Sequence, residues 1–257
     1  MRVVSISVNG LKQAAELGFF DWMREIDADV VCVQDIRGKV YDFDDSIYHP
    51  DGYEAYVLDA ENPEDGGVII YSKHFPKAIM YGFAYEPADR QGRFIQADFD
   101  NVSVASMLAP SALDNANKQD EKDHFMNAFQ DHLEKCLRKR RQFIFTGNLQ
   151  SAHQVTDASQ RYHDQDISGF KAHERAWFDK TFDELGYVDA FRQINKHNGE
   201  YTFWPESAGA DQGNAGIRTD YQICSATVCN LIEDGFIDYD TRFSDHAPLI
   251  VDYDIIM

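Results

Sequence analysis

Alternating apolar and polar or small residues predict a β-strand over residues 2–8, and the turn that follows it contains Asn9. Apolar residues at helical spacing predict an amphipathic helix over residues 11–24. A β-branched run predicts a second strand over residues 30–33, with the polar side chain of Asp35 just beyond it. Because a strand, a helix and a strand in this order favour a parallel crossover, we expect Asn9 and Asp35 at the same edge of a sheet.

Five short strand patterns follow at close spacing. They cover residues 53–58, 68–72, 77–83, 94–99 and 102–108. The intervals between them are too short for helical crossovers, so this part of the chain is predicted to pair antiparallel. A long polar helix is predicted next, over residues 120–139.

The segment 143–153 joins a predicted buried strand to a cluster of polar side chains. Apolar residues 143–145 predict the strand, Gly147 predicts a sharp exit, and Asn148 and Gln150 follow. Side chains at a strand end are held by a rigid sheet, which suits chemistry. These two side chains are amides, however, and an amide neither accepts a proton at neutral pH nor binds Mg²⁺ as well as a carboxylate.

The remaining elements complete one domain. We predict a helix over residues 173–185, strands over 187–191, 201–204, 220–226 and 247–252, and an irregular glycine-rich loop over 208–216. No linker, internal repeat or low-complexity tract interrupts the chain. The pattern therefore predicts a single α/β domain over residues 1–257, with two sheets packed face to face and helices outside.

The composition of the chain indicates where in the cell the protein is expected. The 257 residues are 44% hydrophobic, which is ample for a sizeable core. No apolar run approaches the length that spans a bilayer, and the first strand is too short for a signal peptide. We therefore expect a cytoplasmic protein without membrane association. The four cysteines are scattered and are expected to be unpaired thiols.

Charge limits the partners that the protein can bind. The net charge of −20 opposes autonomous binding to a polyanion. A basic run, Arg138, Lys139, Arg140 and Arg141, precedes the strand at 143–145. We favour its interpretation as a helix C-terminus, where cations complement the helix dipole, and a phosphate-binding patch is the alternative. So acidic a chain is better suited to a basic protein partner than to bare nucleic acid.

Candidate chemistry is concentrated at the predicted strand ends. The polar groups there are Asn9, Asp35, Asn148, Gln150, Asp220, Asp245 and His246. An aspartate beside a histidine at the start of a strand, with a second aspartate able to orient that histidine, is typical of phosphate or metal chemistry.

Several of these groups lie in motifs that resemble a known family. The motifs are V-N-G at 8–10, V-C-V-Q-D at 31–35, G-R-F-I-Q-A-D-F at 92–99, E-R-A-W-F-D at 174–179, T-F-W at 202–204 and S-D-H-A-P at 244–248. In this order they resemble the exonuclease III / abasic endonuclease branch of the endonuclease/exonuclease/phosphatase superfamily. The resemblance implies a four-layer αββα sandwich of two mixed sheets, a Mg²⁺ site built from strand-end side chains, and hydrolysis of phosphodiesters.

The resemblance also implies a degenerate site. Asn9, Asp220, Asp245 and His246 match the family pattern, whereas five positions depart from it. Asp35 replaces a metal-binding glutamate, Asn148 replaces the aspartate that activates water, Gln150 replaces a phosphate-positioning asparagine, Leu108 replaces a tyrosine, and Ile217 replaces a tryptophan. Asn148, Gln150, Asp220 and His246 are therefore expected to be vestigial catalytic positions. Asn9, Asp35 and Asp245 are expected to be vestigial metal positions.

A narrower resemblance suggests a function without catalysis. Q-D at 34–35, A-H-Q at 152–154 and the ending at 243–253 are similar to the catabolite repression control (Crc) family of pseudomonads. This implies a non-catalytic regulator of carbon catabolite repression that requires no cofactor. It would act with the RNA chaperone Hfq on A-rich mRNA sites to repress translation, with Arg138–Arg141 as candidate RNA contacts.

Two alternatives stay open at this point. S-D-H at 244–246 and G-N-L-Q at 147–150 depart from that narrower family, so a weak Mg²⁺ site is conceivable. The first alternative is therefore a slow metal-dependent nuclease or phosphodiesterase like exonuclease III, and the second is a catalytically inactive scaffold that binds another protein through its acidic face.

Overall fold

A computed structural model describes residues 1–113, 115–163, 166–205 and 215–257, and strands make up most of its interior. The strands are β1 (Arg2–Ser7), β2 (Val30–Gln34), β3 (Glu54–Leu58), β4 (Val68–Ser72), β5 (Ala78–Tyr81), β6 (Phe94–Asp98), β7 (Val102–Leu108), β8 (Gln142–Asn148), β9 (Val188–Asp189), β10 (Asp220–Cys224), β11 (Ile232–Ile237) and β12 (Leu249–Tyr253). The helices are α1 (Leu11–Glu16), α2 (Phe19–Ile26), α3 (Glu86–Arg90), α4 (Gln119–Cys136), α5 (Ala172–Asp179) and α6 (Ala190–Ile194).

In the described part of the chain these strands form two six-stranded sheets. The first has the order β11-β12-β1-β2-β4-β3, and the second has the order β5-β6-β7-β8-β10-β9. Each contains one parallel pair, β1 with β2 and β7 with β8, and antiparallel pairs elsewhere. The predicted antiparallel pairing of residues 53–108 is thus confirmed, as is the parallel crossover between the first two strands.

The sheets pack face to face because both sides of their central strands are apolar. Val3 and Val30 face the second sheet, whereas Val4 and Val31 face α1 and α2 on the outside. On the far side, Phe129 of α4 and Trp177 of α5 pack on the outer face of the second sheet. The result is helix, sheet, sheet, helix, so the predicted four-layer αββα sandwich is confirmed.

Local chemistry changes several predicted boundaries. The helix predicted over 11–24 is two helices, because Gly18 adopts a left-handed conformation (φ +88°) between α1 and α2. The strand predicted over 187–191 is wrong beyond Asp189, whose side chain accepts a hydrogen bond from the Arg192 amide and begins α6. The prediction over 201–204 is also wrong, since Phe203 makes only isolated bridges to two other segments.

One further difference concerns the C-terminal third of the chain. β11 was not predicted, because its exposed residues Glu233 and Asp234 hide the strand pattern. Most of the predicted glycine-rich loop at 208–216 lies outside the described residues. None of the described helices is long and apolar enough to cross a membrane.

Candidate functional site

A polar pocket opens where β1, β2, β7 and β8 end and β10 and β12 begin. Its volume is about 220 Å³. The residues that line it are Asn9, Asp35, Arg37, Glu64, Asp65, Arg93, Leu108, Ala109, Ser111, Leu113, Lys118, Gln150, Phe203, Asp245 and His246. Five of the seven predicted site residues are therefore in the pocket wall, and the other two, Asn148 and Asp220, lie buried behind it.

The pocket is also where the backbone is most strained. Among the described residues other than glycine, six have positive φ, and four of these, Asn9 (52°), Asp35 (58°), Arg37 (46°) and Gln150 (55°), line the pocket. Such conformations persist only where the surrounding structure enforces them, and they concentrate at functional sites. Here a hydrogen bond of 2.8 Å from the Gly10 amide to the Asp35 carbonyl joins the ends of β1 and β2.

His246 and Asp220 form a buried pair at the back of the pocket. His246 Nδ1 lies 2.8 Å from Asp220 Oδ2, and the imidazole stacks on Phe203 at 4.5 Å between centroids. Burial lowers the pKa of His246, but the carboxylates of Asp220, Asp245 and Asp35 outweigh burial and hold this pKa above its usual value. The pair can therefore present a protonated imidazole to an anion in the pocket.

Asn148 lies beside the Nε2 edge of this imidazole. Its side chain is fully buried, with Nδ2 at 3.4 Å from His246 Nε2 and Oδ1 accepting a hydrogen bond of 2.8 Å from the Gln150 amide. Asn148 is also the register partner of Asp220 across β8 and β10. Because an amide cannot accept a proton at neutral pH, no general base stands at this position.

Three side chains of the pocket offer oxygen atoms to a metal ion, and one of them, Asp245, has its Oδ1 at 3.9 Å from His246 Nε2. Asn9 Nδ2 donates a short hydrogen bond to Asp245 Oδ1, which brings these two side chains together. Asp35 lies beside them and is bound in a fork by Arg37, with Nε–Oδ1 at 3.2 Å and Nη2–Oδ2 at 2.7 Å. Amide and carboxylate oxygens fit the hard cations Mg²⁺ and Mn²⁺, although the guanidinium competes for one of the carboxylates.

A second group of acidic and histidine side chains lies away from the pocket. The ligand atoms of Asp123, His173 and Glu174 lie within 4.8 Å of one another. Both Glu174 oxygens already accept hydrogen bonds, from Lys122 Nζ at 2.6 Å and from the Gly169 amide at 2.8 Å. The contact between Lys122 and Glu174 connects α4 with α5.

Sequence reasoning missed the cations of the pocket, Arg37, Arg93 and Lys118. The Arg93 side chain is 94% buried and has no carboxylate within ion-pair distance among the described residues; Nη1 donates to the Leu108 carbonyl at 3.3 Å. Burial lowers its pKa to about 10, against the opposing effect of nearby carboxylates. Arg93 lies between Gly92 and the first residue of β6, Phe94.

The basic run lies at the other end of the second sheet. It precedes β8, whose seven residues place it roughly 20 Å from the pocket. The guanidinium of Arg141 donates hydrogen bonds to Ser103 Oγ and to the Phe99 and Val102 carbonyls, so this side chain stabilises the connection between β6 and β7. The side chains of Arg138, Lys139 and Arg140 are exposed, and their role in RNA binding stays a prediction.

Two packed mixed sheets with helices outside them and a polar pocket at their strand ends define an αββα-sandwich protein, and comparison with known proteins identifies its family. A family model described as the endonuclease/exonuclease/phosphatase family matches residues 8–246, and the chain belongs to this family. It is 31% identical over 251 residues to an exodeoxyribonuclease of Bacillus subtilis (strain 168), covering 97% of this chain and 98% of that protein. It is 30% identical over 264 residues to a DNA-(apurinic or apyrimidinic site) endonuclease of Dictyostelium discoideum, covering 99% and 71%.

Solved structures show the same fold. An AP endonuclease from Archaeoglobus fulgidus superposes with a TM-score of 0.86 at 23% identity, covering 99% of this chain and 100% of that one. The 3'-5' exonuclease NExo from Neisseria meningitidis superposes with a TM-score of 0.89 at 20% identity, with the same coverage. At these identities the likeness concerns the fold alone.

Proposed function

We propose that the pocket is a nuclease-type site that binds a phosphodiester and hydrolyses it slowly with the help of a divalent metal ion. The observation that carries this proposal is the buried pair of His246 and Asp220, at 2.8 Å, which lies beside oxygen ligands in one polar pocket, with His246 Nε2 at 3.9 Å from Asp245 Oδ1. The resemblance to an exodeoxyribonuclease and to an abasic-site endonuclease supports DNA as the substrate.

Each residue in the pocket has a definite task in this proposal. Asp220 orients His246 through Nδ1, so that Nε2 carries a proton toward the phosphate and stabilises the charge that develops on it. Asn9, Asp35 and Asp245 would hold the metal ion, which supplies Lewis-acid stabilisation of a phosphate oxygen. Arg93, which is almost completely buried, adds a fixed positive charge to the wall.

The slow rate follows from Asn148. General-base catalysis contributes typically ~10²–10⁴-fold, and the buried amide cannot provide it. Asp35 and Leu108 depart from the family pattern in the same pocket, so their effects on the rate act on one chemical step and are not additive.

The test is to restore the proton acceptor. The double variant Asn148→Asp/Gln150→Asn is expected to cleave an abasic DNA duplex about 10²-fold faster than the wild type, in a Mg²⁺-dependent reaction that EDTA stops. Asn195→Asp is the matched control for charge. Asn195 caps the end of α6 and is not among the residues that line the pocket, so this variant should leave the rate unchanged. Metal-dependent cleavage that is absent from wild type and double variant alike, or that survives His246→Ala, would contradict the proposal.

A second function is favoured by the separate position of the exposed cations. Arg138, Lys139 and Arg140 lie at the end of the second sheet remote from the pocket, on a chain with a net charge of −20. They suit contact with RNA that a basic protein partner already presents. This supports a non-catalytic translational repressor that joins Hfq on A-rich mRNA, as the resemblance to the Crc family implies.

Co-purification separates this second function from the first. We expect a complex of the protein with Hfq that forms only with an A-rich RNA and that is lost in Arg138→Glu/Arg140→Glu. The same complex should form normally with His246→Ala, because the pocket lies at the opposite end of the sheet. Failure to form any RNA-dependent complex would rule this function out.

A further inference from the structure

Asp35 is already paired with a cation from its own chain. The Arg37 guanidinium binds Asp35 in a two-point fork, with Nε–Oδ1 at 3.2 Å and Nη2–Oδ2 at 2.7 Å. The carboxylate is largely buried, with 13% of its side chain exposed, while the Arg37 side chain is 43% exposed. The pair thus bridges the wall of the pocket and its opening.

The backbone holds this fork in place. Both Asp35 (φ 58°) and Arg37 (φ 46°) have left-handed conformations, which a side chain as long as arginine rarely adopts. The Arg37 amide donates to the Gly66 carbonyl at 3.1 Å, and the Ile36 amide donates to the Gly67 carbonyl at 3.3 Å. Strained backbone persists only where the surrounding structure enforces it. The fold therefore holds the ion pair between Asp35 and Arg37 in a defined geometry, unlike an ordinary ion pair on the surface.

The fork leaves part of the guanidinium unused. Arginine has five N–H donors, and two of its nitrogens face Asp35. Within the described residues Nη1 has no hydrogen-bond partner, and Arg37 lines the pocket together with Arg93 and Lys118. These free donors suit a phosphate group, which guanidinium binds in planar two-point contacts.

We propose that Arg37 is the resident cation of the pocket: it competes with a divalent metal ion for Asp35 and binds a phosphate ester without metal. Mg²⁺ in phosphate-binding sites commonly joins one or two carboxylates to the phosphate of the ligand. Arg37 joins a carboxylate to a phosphate in the same way, with a charge of +1. This inference rests on the proposed phosphodiester site but does not require that the site turns over.

Charge balance in the pocket agrees with this role. Four carboxylates, Asp35, Glu64, Asp65 and Asp245, line it. Three permanent cations, Arg37, Arg93 and Lys118, oppose them. The pocket is therefore nearly neutral on a strongly acidic protein, and an anion can enter it without an added metal ion.

Metal affinity provides the first arm of the test. Calorimetric titration with Mn²⁺, with no substrate present, is expected to show about five- to tenfold tighter binding by Arg37→Gln than by wild type, because the competing charge is gone. Arg24→Gln is the matched control, since Arg24 also forms an ion pair, with Asp21, but lies outside the pocket. It should bind Mn²⁺ as the wild type does. Equal affinities of Arg37→Gln and wild type would overturn the proposal.

Phosphate binding provides the second arm. Fluorescence anisotropy with a labelled abasic DNA duplex in EDTA is expected to show about five- to tenfold weaker binding by Arg37→Gln and no change in Arg24→Gln. Unchanged DNA binding by Arg37→Gln would overturn the metal-free role. If Arg37→Gln does not fold, Arg37→Asn replaces it, because asparagine tolerates positive φ. Neither arm measures cleavage, so failure here is distinct from failure of Asn148→Asp/Gln150→Asn to gain activity.

Discussion

His132 packs on the inner side of α4 within a cage of aromatic rings. Its imidazole lies at centroid distances of 5.5 Å from Phe83, 5.4 Å from Phe94 and 6.0 Å from Phe145. Burial, with the positive charges of Lys139 and Lys135, lowers its pKa to about 4. The folded protein therefore holds a neutral imidazole at pH values where the unfolded chain is protonated.

This difference predicts acid sensitivity. The pKa is about 6.5 in the unfolded chain and about 4 in the folded one, so the contribution to stability is complete above pH 6.5 and is lost as pH falls toward 4. We expect the free energy of unfolding to fall by up to about 1.4 kcal/mol per pH unit in this window. In His132→Phe that slope should be smaller. Urea unfolding of both proteins at pH 7.5, 6 and 5 measures it, and parallel slopes would contradict the prediction.

His246 opposes this trend. Its pKa is raised in the folded state, so its contribution to stability is complete below its unfolded pKa and is lost as pH rises through the folded value. Comparing His132→Phe with wild type at each pH cancels the contribution of His246, because the two residues lie in different layers of the fold.

Gly147 of β8 lies against the backbone of the parallel strand β7, where it is the register partner of Met107. It has a φ of +141°, and a Cβ there would lie 1.9 Å from the Met107 carbonyl oxygen of β7. We predict that Gly147→Ala costs at least ~3 kcal/mol or prevents folding. Gly235→Ala in β11 is the control, since its Cβ would meet only ordinary contacts, the nearest at 3.6 Å. The melting temperatures of the two variants test this prediction. Similar values would contradict it and would show that the backbone around residue 147 can shift to accept a Cβ.

At the scale of elements, a buried ion pair joins α4, α5 and the loop after β8. Lys122 is completely buried and donates to Glu174 at 2.6 Å and to the Gln150 carbonyl at 2.8 Å. Burial lowers the pKa of Lys122, and Glu174 opposes that effect. The conformation of Gln150 in the pocket thus depends on a contact between two helices.

We predict that Lys122→Met destabilises the protein by ~3–5 kcal/mol, because it leaves a buried carboxylate unpaired. The double variant Lys122→Met/Glu174→Gln should recover a large part of the loss. Lys180→Met, which breaks a half-exposed pair with Glu134 at 3.2 Å, should cost less than ~1 kcal/mol. Urea unfolding of all four variants, with Glu174→Gln included, tests this, and simple additivity of the two single changes would contradict it.

The sequence predicts elements well where local pattern and environment agree. β2 and β4 are apolar on both faces, and the pattern placed them within about one residue of their observed bounds. β8 was predicted only over residues 143–145 of its observed span, Gln142–Asn148. The prediction of a strand over residues 187–191 failed after Asp189, because the side chain of Asp189 caps the start of α6. Strand ends also predicted five of the residues that line the pocket, Asn9, Asp35, Gln150, Asp245 and His246. Arg37 and Arg93 were missed because each follows or precedes a strand in a connecting segment, and only the tertiary fold brings the two segments to one cavity.

At the scale of the whole molecule, the net charge of −20 is a destabilising force. Added salt screens repulsion between surface carboxylates, and at 0.5 M NaCl the Debye length is shorter than most distances between them. If screening contributes about 1 kcal/mol, the melting temperature should rise by roughly 2–4 °C between 0.05 and 0.5 M NaCl. Calorimetric scans in NaCl and KCl check this, and a falling melting temperature in both would contradict it.

The contacts of Asn148 have a consequence for how this protein can change over time. A carboxylate oxygen in place of Oδ1 could still accept the hydrogen bond from the Gln150 amide, and the second oxygen would face His246 Nε2. Asparagine and aspartate codons differ by a single base, and hydrolytic deamidation makes the same exchange without mutation. Replacing the amide nitrogen of Asn148 by oxygen therefore creates a proton acceptor in this pocket. We expect related lineages to gain and lose this acceptor repeatedly. Stored protein samples should be checked for the exchange by mass spectrometry.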